Sequence, residues 1–369
     1  MTRNRMSIGP EKSSIWWRIA RWVLQLFGIM LSGFLVVLVL LAGVILMIVV
    51  ANTALRDLET TMRATTDQDQ LPEPDLSTLQ RTALFITSQF LPLHQPGFQM
   101  VTPGRVFRDC TDCPEMIEVP KGYFLLGSPI FEKGRHAHLF SHTPLRAQLK
   151  LVNREGPRRL VHISRPLAYS RYEITYGQWR QAQEDPEWSS ITGRASFLPD
   201  WGASYRDDQP MTEVEWSDAK AYAAYLSAKT GYTYRLPTDA EWEYAARAGS
   251  VTRFPWGNDI GKNNAICVNC SSIWSERKPG PVGQHPPNDF GLYDMHGNGF
   301  EWVEDCYEAY HDPVKIDGSP YVQDACEFRT VRGGGPASPG WQNRSAFRVG
   351  PHHYNRGYGH AIRLVRELD

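Results

Sequence analysis

The stretch with the clearest capacity for chemistry runs from Phe290 to Arg348 and combines acidic side chains with clustered glycines and aromatics. Asp294 and Glu301 flank a turn that contains Gly297 and Gly299. The carbonyls of a glycine-rich turn can point inward, and with two carboxylates they supply the hard oxygen donors that Ca²⁺ prefers. The alternative is that both carboxylates only accept backbone N–H bonds within the turn. A backbone path this irregular indicates a bound cation, disulfides or both.

The six cysteines form a second chemically capable group. In an exported domain an even count predicts up to three disulfides. Cys306 and Cys326 flank one loop and are expected to pair, whereas the partners of the other four are left open: Cys110, Cys113, Cys267 and Cys270. The two C-x-x-C pairs also match the spacing of a four-cysteine zinc site. A redox-active pair is disfavoured, because no thioredoxin-like βαβ pattern surrounds either of them.

The N-terminal region predicts a membrane anchor. Residues 22–50 are almost continuously apolar, which is long enough to span a hydrocarbon core of about 30 Å and too long for a signal-peptide core. The basic excess in residues 1–21 predicts a cytoplasmic tail. In a bacterium this arrangement is a single-pass inner-membrane protein whose C-terminal domain lies in the periplasm.

Behind the anchor we expect a polar stalk or linker over residues 51–105 and one domain over 106–369. The net charge of −1 gives no sign of nucleic-acid binding. Apolar alternation over Met116–Ser128 predicts a β-hairpin. Two short helices amid many short strands and glycine-rich turns predict an irregular α+β domain without alternating βαβ units.

Helices are predicted at three places in this domain. One begins at Thr175. A second lies within 210–231 and ends at Gly231. A third begins with the capping box formed by Thr238 and Glu241 and is expected to end at Gly249.

Six motifs occur in an order that resembles the formylglycine-generating enzyme, or sulfatase-modifying factor, family. They are RLPTDAEWEYAARAG (235–249), FPWG (254–257), PPNDFGLY (286–293), Gly297–Asn298, Glu301–Trp302 and RGG (332–334). The resemblance implies an irregular α+β fold of C-type-lectin-like topology that often binds calcium. Active members of the family oxidise a sulfatase cysteine to formylglycine, using molecular oxygen and copper held by two cysteines that follow the Arg-Gly-Gly motif.

Carried over by motif, the resemblance implies a calcium site made of Asp294, Gly297, Gly299 and Glu301, where the two glycines contribute carbonyls. It implies no copper site, because the residues after Arg332 include no cysteine and Ser338 stands about where the first thiol belongs. A hydroxyl does not replace the soft thiolate that Cu(I) requires. Copper is therefore not expected, and no catalytic residue is assigned.

In the family the C-terminal segment borders a substrate groove. The groove candidates in this sequence are Ser338, Trp341, Arg344, Arg348, His352 and His353. Such side chains can clamp a carboxylate or phosphate, and the alternative is a solvated basic rim that supports the fold.

Three functions follow from these observations. The first is a regulatory or accessory module that binds an envelope protein or peptide in the former substrate groove. The second is an oxidoreductase of the formylglycine-generating type with a non-standard site, acting in protein, peptide or siderophore maturation. The third is a calcium-dependent, lectin-like binder of the envelope.

Overall fold

The computed structural model describes residues 42–43, 45–46, 49–50 and 53, which are helical, and residues 103–368 apart from 130–131, 136–153, 157, 199–204, 275–277, 309–314 and 358. The predicted cytoplasmic tail, most of the predicted transmembrane helix and nearly all of the stalk lie outside this range. Within the described residues, no helix has the length and apolar character needed to cross a bilayer.

Short strands in the described part form three sheets. The largest has the order β1-β2-β5-β11-β6, the second β10-β7-β8-β9, and the third pairs β3 with β4. Neighbouring strands are antiparallel except for β10 and β7. The strands are β1 (Val106–Phe107), β2 (Met116–Val119), β3 (Gly122–Leu126), β4 (Arg159–Ile163), β5 (Leu167–Ser170), β6 (Tyr234–Arg235), β7 (Phe300–Cys306), β8 (Arg329–Arg332), β9 (Arg348–Val349), β10 (His360–Ala361) and β11 (Val365–Glu367).

The hairpin predicted over Met116–Ser128 is wrong in its pairing. Both strands form, but β2 pairs with β1 and β5, whereas β3 pairs with β4. Every residue of β3 is buried, so this strand is covered on both faces. Apolar alternation identified the strands and could not identify their partners.

Within residues 103–368 the described part contains four α-helices: α1 (Tyr176–Glu184), α2 (Trp188–Thr192), α3 (Trp216–Thr230) and α4 (Asp239–Arg247). The predicted helix starts at Thr175 and Thr238 are confirmed, since each threonine caps its helix through a reciprocal capping box. The predicted end of α3 is also confirmed, with Gly231 in the left-handed conformation at φ 77°. Helix α4 ends one residue earlier than predicted, because Ala248 is already left-handed at φ 44°.

Helix α2 was missed by the sequence analysis. Its five residues carry no side-chain cap, so no local signal marks it. Trp188 packs edge-on against Trp179 at a centroid distance of 5.6 Å and contacts Tyr225 at 5.5 Å. Tertiary packing of one large aromatic therefore holds this helix in place.

All six cysteines are paired. The predicted bridge between Cys306 and Cys326 is confirmed, and each C-x-x-C closes on itself, Cys110 with Cys113 and Cys267 with Cys270. With these pairings no cysteine retains a free thiol, whereas the zinc alternative requires four thiolates.

Candidate functional site

The acidic, glycine-rich turn before β7 follows a backbone path that few residues tolerate. Asp294, Gly297 and Asn298 all have positive φ, at 55°, 90° and 63°. Glycine is required at 297 because a Cβ there would lie 2.4 Å from the carbonyl oxygen of Ile266. That same carbonyl accepts the N–H of Asn298 at 3.0 Å, so the segment around Ile266 fixes the shape of the turn.

Asp294 lies at the start of the turn with its carboxylate buried. Its Oδ2 accepts the backbone N–H of Gly283 at 2.6 Å. Burial raises the pKa of Asp294 to about 6, although this N–H bond and the charge of Arg363 oppose the shift. The carboxylate of Asp294 accepts few hydrogen bonds for a buried charge, so a nearby positive charge would stabilise its ionised form.

Glu173 is a third carboxylate at this site, and the sequence analysis did not identify it. It follows β5 and is 1% exposed. Its Oε2 accepts the side-chain N–H of Asn298 at 2.9 Å, whereas Oε1 is buried with no hydrogen-bond partner. Burial, followed by the charges of Asp294 and Glu301, raises the pKa of Glu173 well above its usual value. No local pattern distinguishes this glutamate from those on the surface.

Glu301, the fourth residue of the predicted calcium set, is already engaged. Both carboxylate oxygens accept from Nε of Arg363 at 2.9 Å. Oε2 also accepts the indole N–H of Trp242 at 2.5 Å. The guanidinium of Arg363 is completed by the carbonyls of Ser170 and Tyr293. Glu301 therefore acts in the structure as the counter-ion of a fully buried arginine.

The turn fits calcium in the type and charge of its donors. Its oxygens are carboxylates and carbonyls, the donors that Ca²⁺ takes. Among the described residues, however, no three histidine, cysteine, aspartate or glutamate side chains are grouped closely enough to hold a metal ion. Backbone carbonyls such as those of Gly297 and Gly299 would have to complete the coordination.

At Ser338, where the resemblance would place the first copper thiol, the structure has a buried hydroxyl. Ser338 is 4% exposed, and its Oγ accepts the N–H of Gly335 at 3.1 Å. Its carbonyl accepts the N–H of Val268 at 2.8 Å, which places the short Cys267–Cys270 loop beside it. Further along, the amide of Asn343 donates to the carbonyl of Pro339 at 2.9 Å.

Two groove candidates, Arg344 and Arg348, lie in the interior and do not face a groove. Arg344 is 0% exposed and forms ion pairs with Glu132 and Glu155 at 2.6 Å each. Burial alone would raise the pKa of Glu155, but Arg344 reverses this and lowers it to about 2. Arg348 pairs with buried Asp239 at 2.9 Å. Their carboxylate partners are distant in sequence, so the basic spacing alone could not show that both charges are already neutralised.

The remaining candidates lie nearer the surface and in two places. Trp341 is half-buried and packs edge-on against Phe347 at 5.6 Å. His352 and His353 are half-buried and contact the exposed ring of Tyr354 at 4.7 and 5.3 Å.

Trp256, which the sequence analysis quoted only as part of a motif, is 39% exposed. It stacks on Phe254 at 5.2 Å and packs edge-on against His296 at 5.2 Å. Nδ1 of His296 lies 2.7 Å from the carbonyl of Asn343, and burial lowers the pKa of His296 to about 4. This aromatic group therefore borders the segment that replaces the copper ligands.

A cavity of about 410 Å³ opens elsewhere, beside β4, β6 and the N-terminus of α4. None of the groove or calcium candidates lines it. Of its charged walls, Arg235 binds Glu241 and Glu367, and Asp317 accepts hydrogen bonds from Ser319.

The fold and site together define a mixed α/β domain with a glycine-rich acidic turn and no thiolate pair. The family model for the sulfatase-modifying factor enzyme 1-like domain matches residues 102–368. The chain therefore belongs to the formylglycine-generating enzyme, or sulfatase-modifying factor, family.

Individual relatives include both active and inactive members. The chain is 33% identical to the formylglycine-generating enzyme of Bos taurus over 40% of this chain and 41% of that protein. It is also 33% identical to the inactive C-alpha-formylglycine-generating enzyme 2 of Bos taurus over 34% and 43%. The matched region spans less than half the length of either relative. Among solved structures, PvdO from Pseudomonas aeruginosa is similar with a TM-score of 0.60 and 35% identity, covering 72% of this chain and 99% of PvdO.

Proposed function

We propose that this protein is a copper-independent binding or accessory module of the formylglycine-generating enzyme family. It binds an envelope protein or peptide. Residues 22–50 anchor it in the inner membrane, and its domain lies in the periplasm. The observation that carries the proposal is the absence of any thiolate for copper: the positions after Arg332 hold no cysteine, and all six cysteines of the chain form disulfides. The inactive relative in Bos taurus supports loss of activity within this fold.

A partner peptide would lie along the aromatic border of the former groove, where Trp256 offers an exposed ring. The guanidinium groups of Arg344 and Arg348 form ion pairs inside the protein. Recognition of the peptide would therefore depend on apolar contacts and backbone hydrogen bonds more than on binding of an anion by these arginines. The acidic turn would bind calcium and hold the neighbouring segment of the groove in shape through Ile266.

Metal and oxygen measurements on the purified chain test this function. After incubation with Cu(I) and Ca²⁺ followed by desalting, we expect calcium and no stoichiometric copper by mass spectrometry of the metals. We also expect no oxygen uptake with a cysteine-containing sulfatase peptide, with an active family enzyme as the positive control. Retained copper or peptide-dependent oxygen uptake would contradict the proposal and indicate that the protein is an oxidase.

The location is tested separately by protease treatment of intact cells and of spheroplasts. We expect the domain to be cleaved only after the outer membrane is opened. Cleavage only after lysis of the inner membrane would contradict the periplasmic orientation.

A second candidate is a calcium-dependent glycan binder, favoured by one surface feature. His352 stacks on Tyr354 at 4.7 Å and packs at a tilt against Phe328 at 4.2 Å. Phe328 and Tyr354 are 41% and 59% exposed. Such a row can stack against sugar faces. Binding of envelope polysaccharide that is lost in Tyr354→Ala and in EDTA would favour this candidate over the peptide-binding module.

A further inference from the structure

The cavity beside β4, β6 and the N-terminus of α4 has no part in the proposed function. Its volume is about 410 Å³, within the range of about 300–1,000 Å³ that is usual for sites that bind small molecules. Its walls come from distant parts of the chain: the end of β4, β6, the start of α4, β7 and the loop at 317–320. The tertiary fold therefore builds this cavity, and no single segment does.

The loop that closes the cavity is held in one position against the rest of the wall. The carbonyl of Ile316 accepts the N–H of His162 at 2.8 Å, and the carbonyl of Gly318 accepts the hydroxyl of Thr238 at 2.8 Å. Gly318 has φ 74°, and a Cβ there would lie 2.9 Å from Cδ1 of Ile163, so glycine allows the loop to approach β4. A preformed wall lowers the entropic cost of ordering the site around a ligand.

Two charged side chains on the wall keep bonding capacity for a ligand. Oδ1 of Asp317 accepts the backbone N–H of Ser319 at 3.0 Å and its hydroxyl at 2.6 Å, whereas Oδ2 accepts no hydrogen bond from the described residues. Arg165 is 56% exposed in its side chain and donates through Nη2 to Glu367 at 2.8 Å, which leaves Nε and Nη1 available. Although Asp317 and Arg165 line the same cavity, they form no ion pair with each other.

The other charged groups of the wall are neutralised by neighbours. Arg235 pairs with Glu241 at 2.7 Å and with Glu367 at 3.0 Å. Both carboxylate oxygens of Glu304 accept from Nζ of Lys220, at 2.8 and 2.7 Å. A ligand in the cavity therefore meets one carboxylate without a cationic partner and one guanidinium with donors to spare.

We propose that this cavity binds a short peptide whose two termini are free. Asp317 accepts hydrogen bonds from the terminal ammonium, and Arg165 donates to the terminal carboxylate, the planar group that a guanidinium matches. A peptide fits better than a free amino acid, because Asp317 and Arg165 are too far apart to pair with each other. Each added residue separates the two termini by up to about 3.3–3.6 Å. The site is separate from the candidate groove and does not depend on the function proposed for it.

Isothermal titration of L-alanyl-L-alanine into the full chain, purified in detergent, tests the site. We expect a dissociation constant of about 1 mM or below, as a few charge-assisted hydrogen bonds in an open cavity provide. N-acetyl-L-alanyl-L-alanine lacks the ammonium and L-alanyl-L-alaninamide lacks the carboxylate, so each should bind at least fivefold more weakly. This comparison needs no substitution in the protein and does not depend on whether a variant folds.

Substitutions then assign each terminus to its side chain. Asp317→Asn and Arg165→Gln should each weaken binding of the free dipeptide at least fivefold. Asn keeps the oxygen that accepts from Ser319, so the loop retains its shape. The controls are Asp208→Asn and Arg206→Gln, which break an ion pair of similar exposure outside the cavity, at 49% and 58%, and should leave the affinity unchanged.

A crossed comparison separates direct contact from a merely structural role of these side chains. Asp317→Asn should no longer distinguish the free dipeptide from its N-acetyl form but should still distinguish it from the amide. Arg165→Gln should show the reverse. A variant that only disturbed the shape of the cavity would weaken all three peptides by the same factor.

Several results would overturn the proposal. They are absence of dipeptide binding up to about 10 mM, equal affinity for the free and the blocked dipeptides, and unchanged affinity in both cavity variants. Binding of free L-alanine as tight as that of the dipeptide would overturn the choice of a peptide. None of these results bears on the copper and oxygen measurements, which test the copper-independent module independently.

Discussion

The disulfide between Cys306 and Cys326 should be the main covalent contribution to the stability of the domain. It closes a loop with a sequence separation of 20, whereas Cys110 and Cys113 are separated by 3. The chain-entropy relation then gives about 3.3 kcal/mol for the long loop and about 1.6 kcal/mol for the short one. Replacement of both cysteines by alanine in each bridge should show this difference.

The two double variants are a matched pair. Each bridge has one buried and one half-buried cysteine, so the area lost on truncation is similar. For a domain of this size, a loss of about 3.3 kcal/mol lowers Tm by roughly 7–13 °C, and a loss of about 1.6 kcal/mol by roughly 3–6 °C.

Urea unfolding monitored by tryptophan fluorescence measures both losses, with the wild type assayed in parallel under non-reducing conditions. Equal destabilisation of the two double variants would refute the loop-length reasoning. The same would hold if the Cys306/Cys326 variant lost under about 1 kcal/mol, well below the loop estimate.

Three further predictions concern buried polar groups. Glu301→Gln should lower the free energy of unfolding by about 3–5 kcal/mol, because it leaves the buried charge of Arg363 without its partner; denaturant titration measures the loss. Burial raises the pKa of Asp305 to about 7, so between about pH 4 and about pH 7 the folded state holds a proton that the unfolded state releases. The free energy of unfolding therefore falls as the pH rises through this range. Asp305→Asn should flatten this pH dependence, and urea titrations at stepped pH measure the slope. Thr238→Ala should cost about 1 kcal/mol as a lost N-cap, and more than Thr175→Ala, because Oγ1 of Thr238 also donates to a loop carbonyl; thermal unfolding compares the two.

Each of these predictions has a contrary result. For Glu301→Gln the control is the exposed partner of Arg180, Glu184→Gln, which should cost no more than about 0.5 kcal/mol; equal losses would show that the burial of Arg363 does not matter. An unchanged pH slope in Asp305→Asn would show that the raised pKa belongs to another group. A larger loss in Thr175→Ala than in Thr238→Ala would contradict the role of the second hydrogen bond.

Local signals in the sequence determined the helix starts and the family of this protein. A capping box is complete within four residues, as at Thr175 and Thr238, so its side chains need no distant partner. The ordered motifs likewise identified the family, which the match over residues 102–368 confirms. The sequence alone also shows that the copper thiolates are missing, because the residues that follow Arg332 include no cysteine. The membrane anchor, the C-type-lectin-like topology and the calcium ion stay predictions.

Only the tertiary structure decided which charges remain available at the site. Arg344 and Glu155 are 189 residues apart, and Glu173 and Asn298 are 125 apart, so no spacing rule connects them. The fold buries Arg344 against its carboxylates and removes it from the groove, yet it leaves one oxygen of Glu173 without a partner. A charged side chain is available to a ligand only if no distant group of the chain pairs with it. Burial makes an unpaired charge costly and a paired one unreactive, so the contacts made by the fold decide which charges remain available.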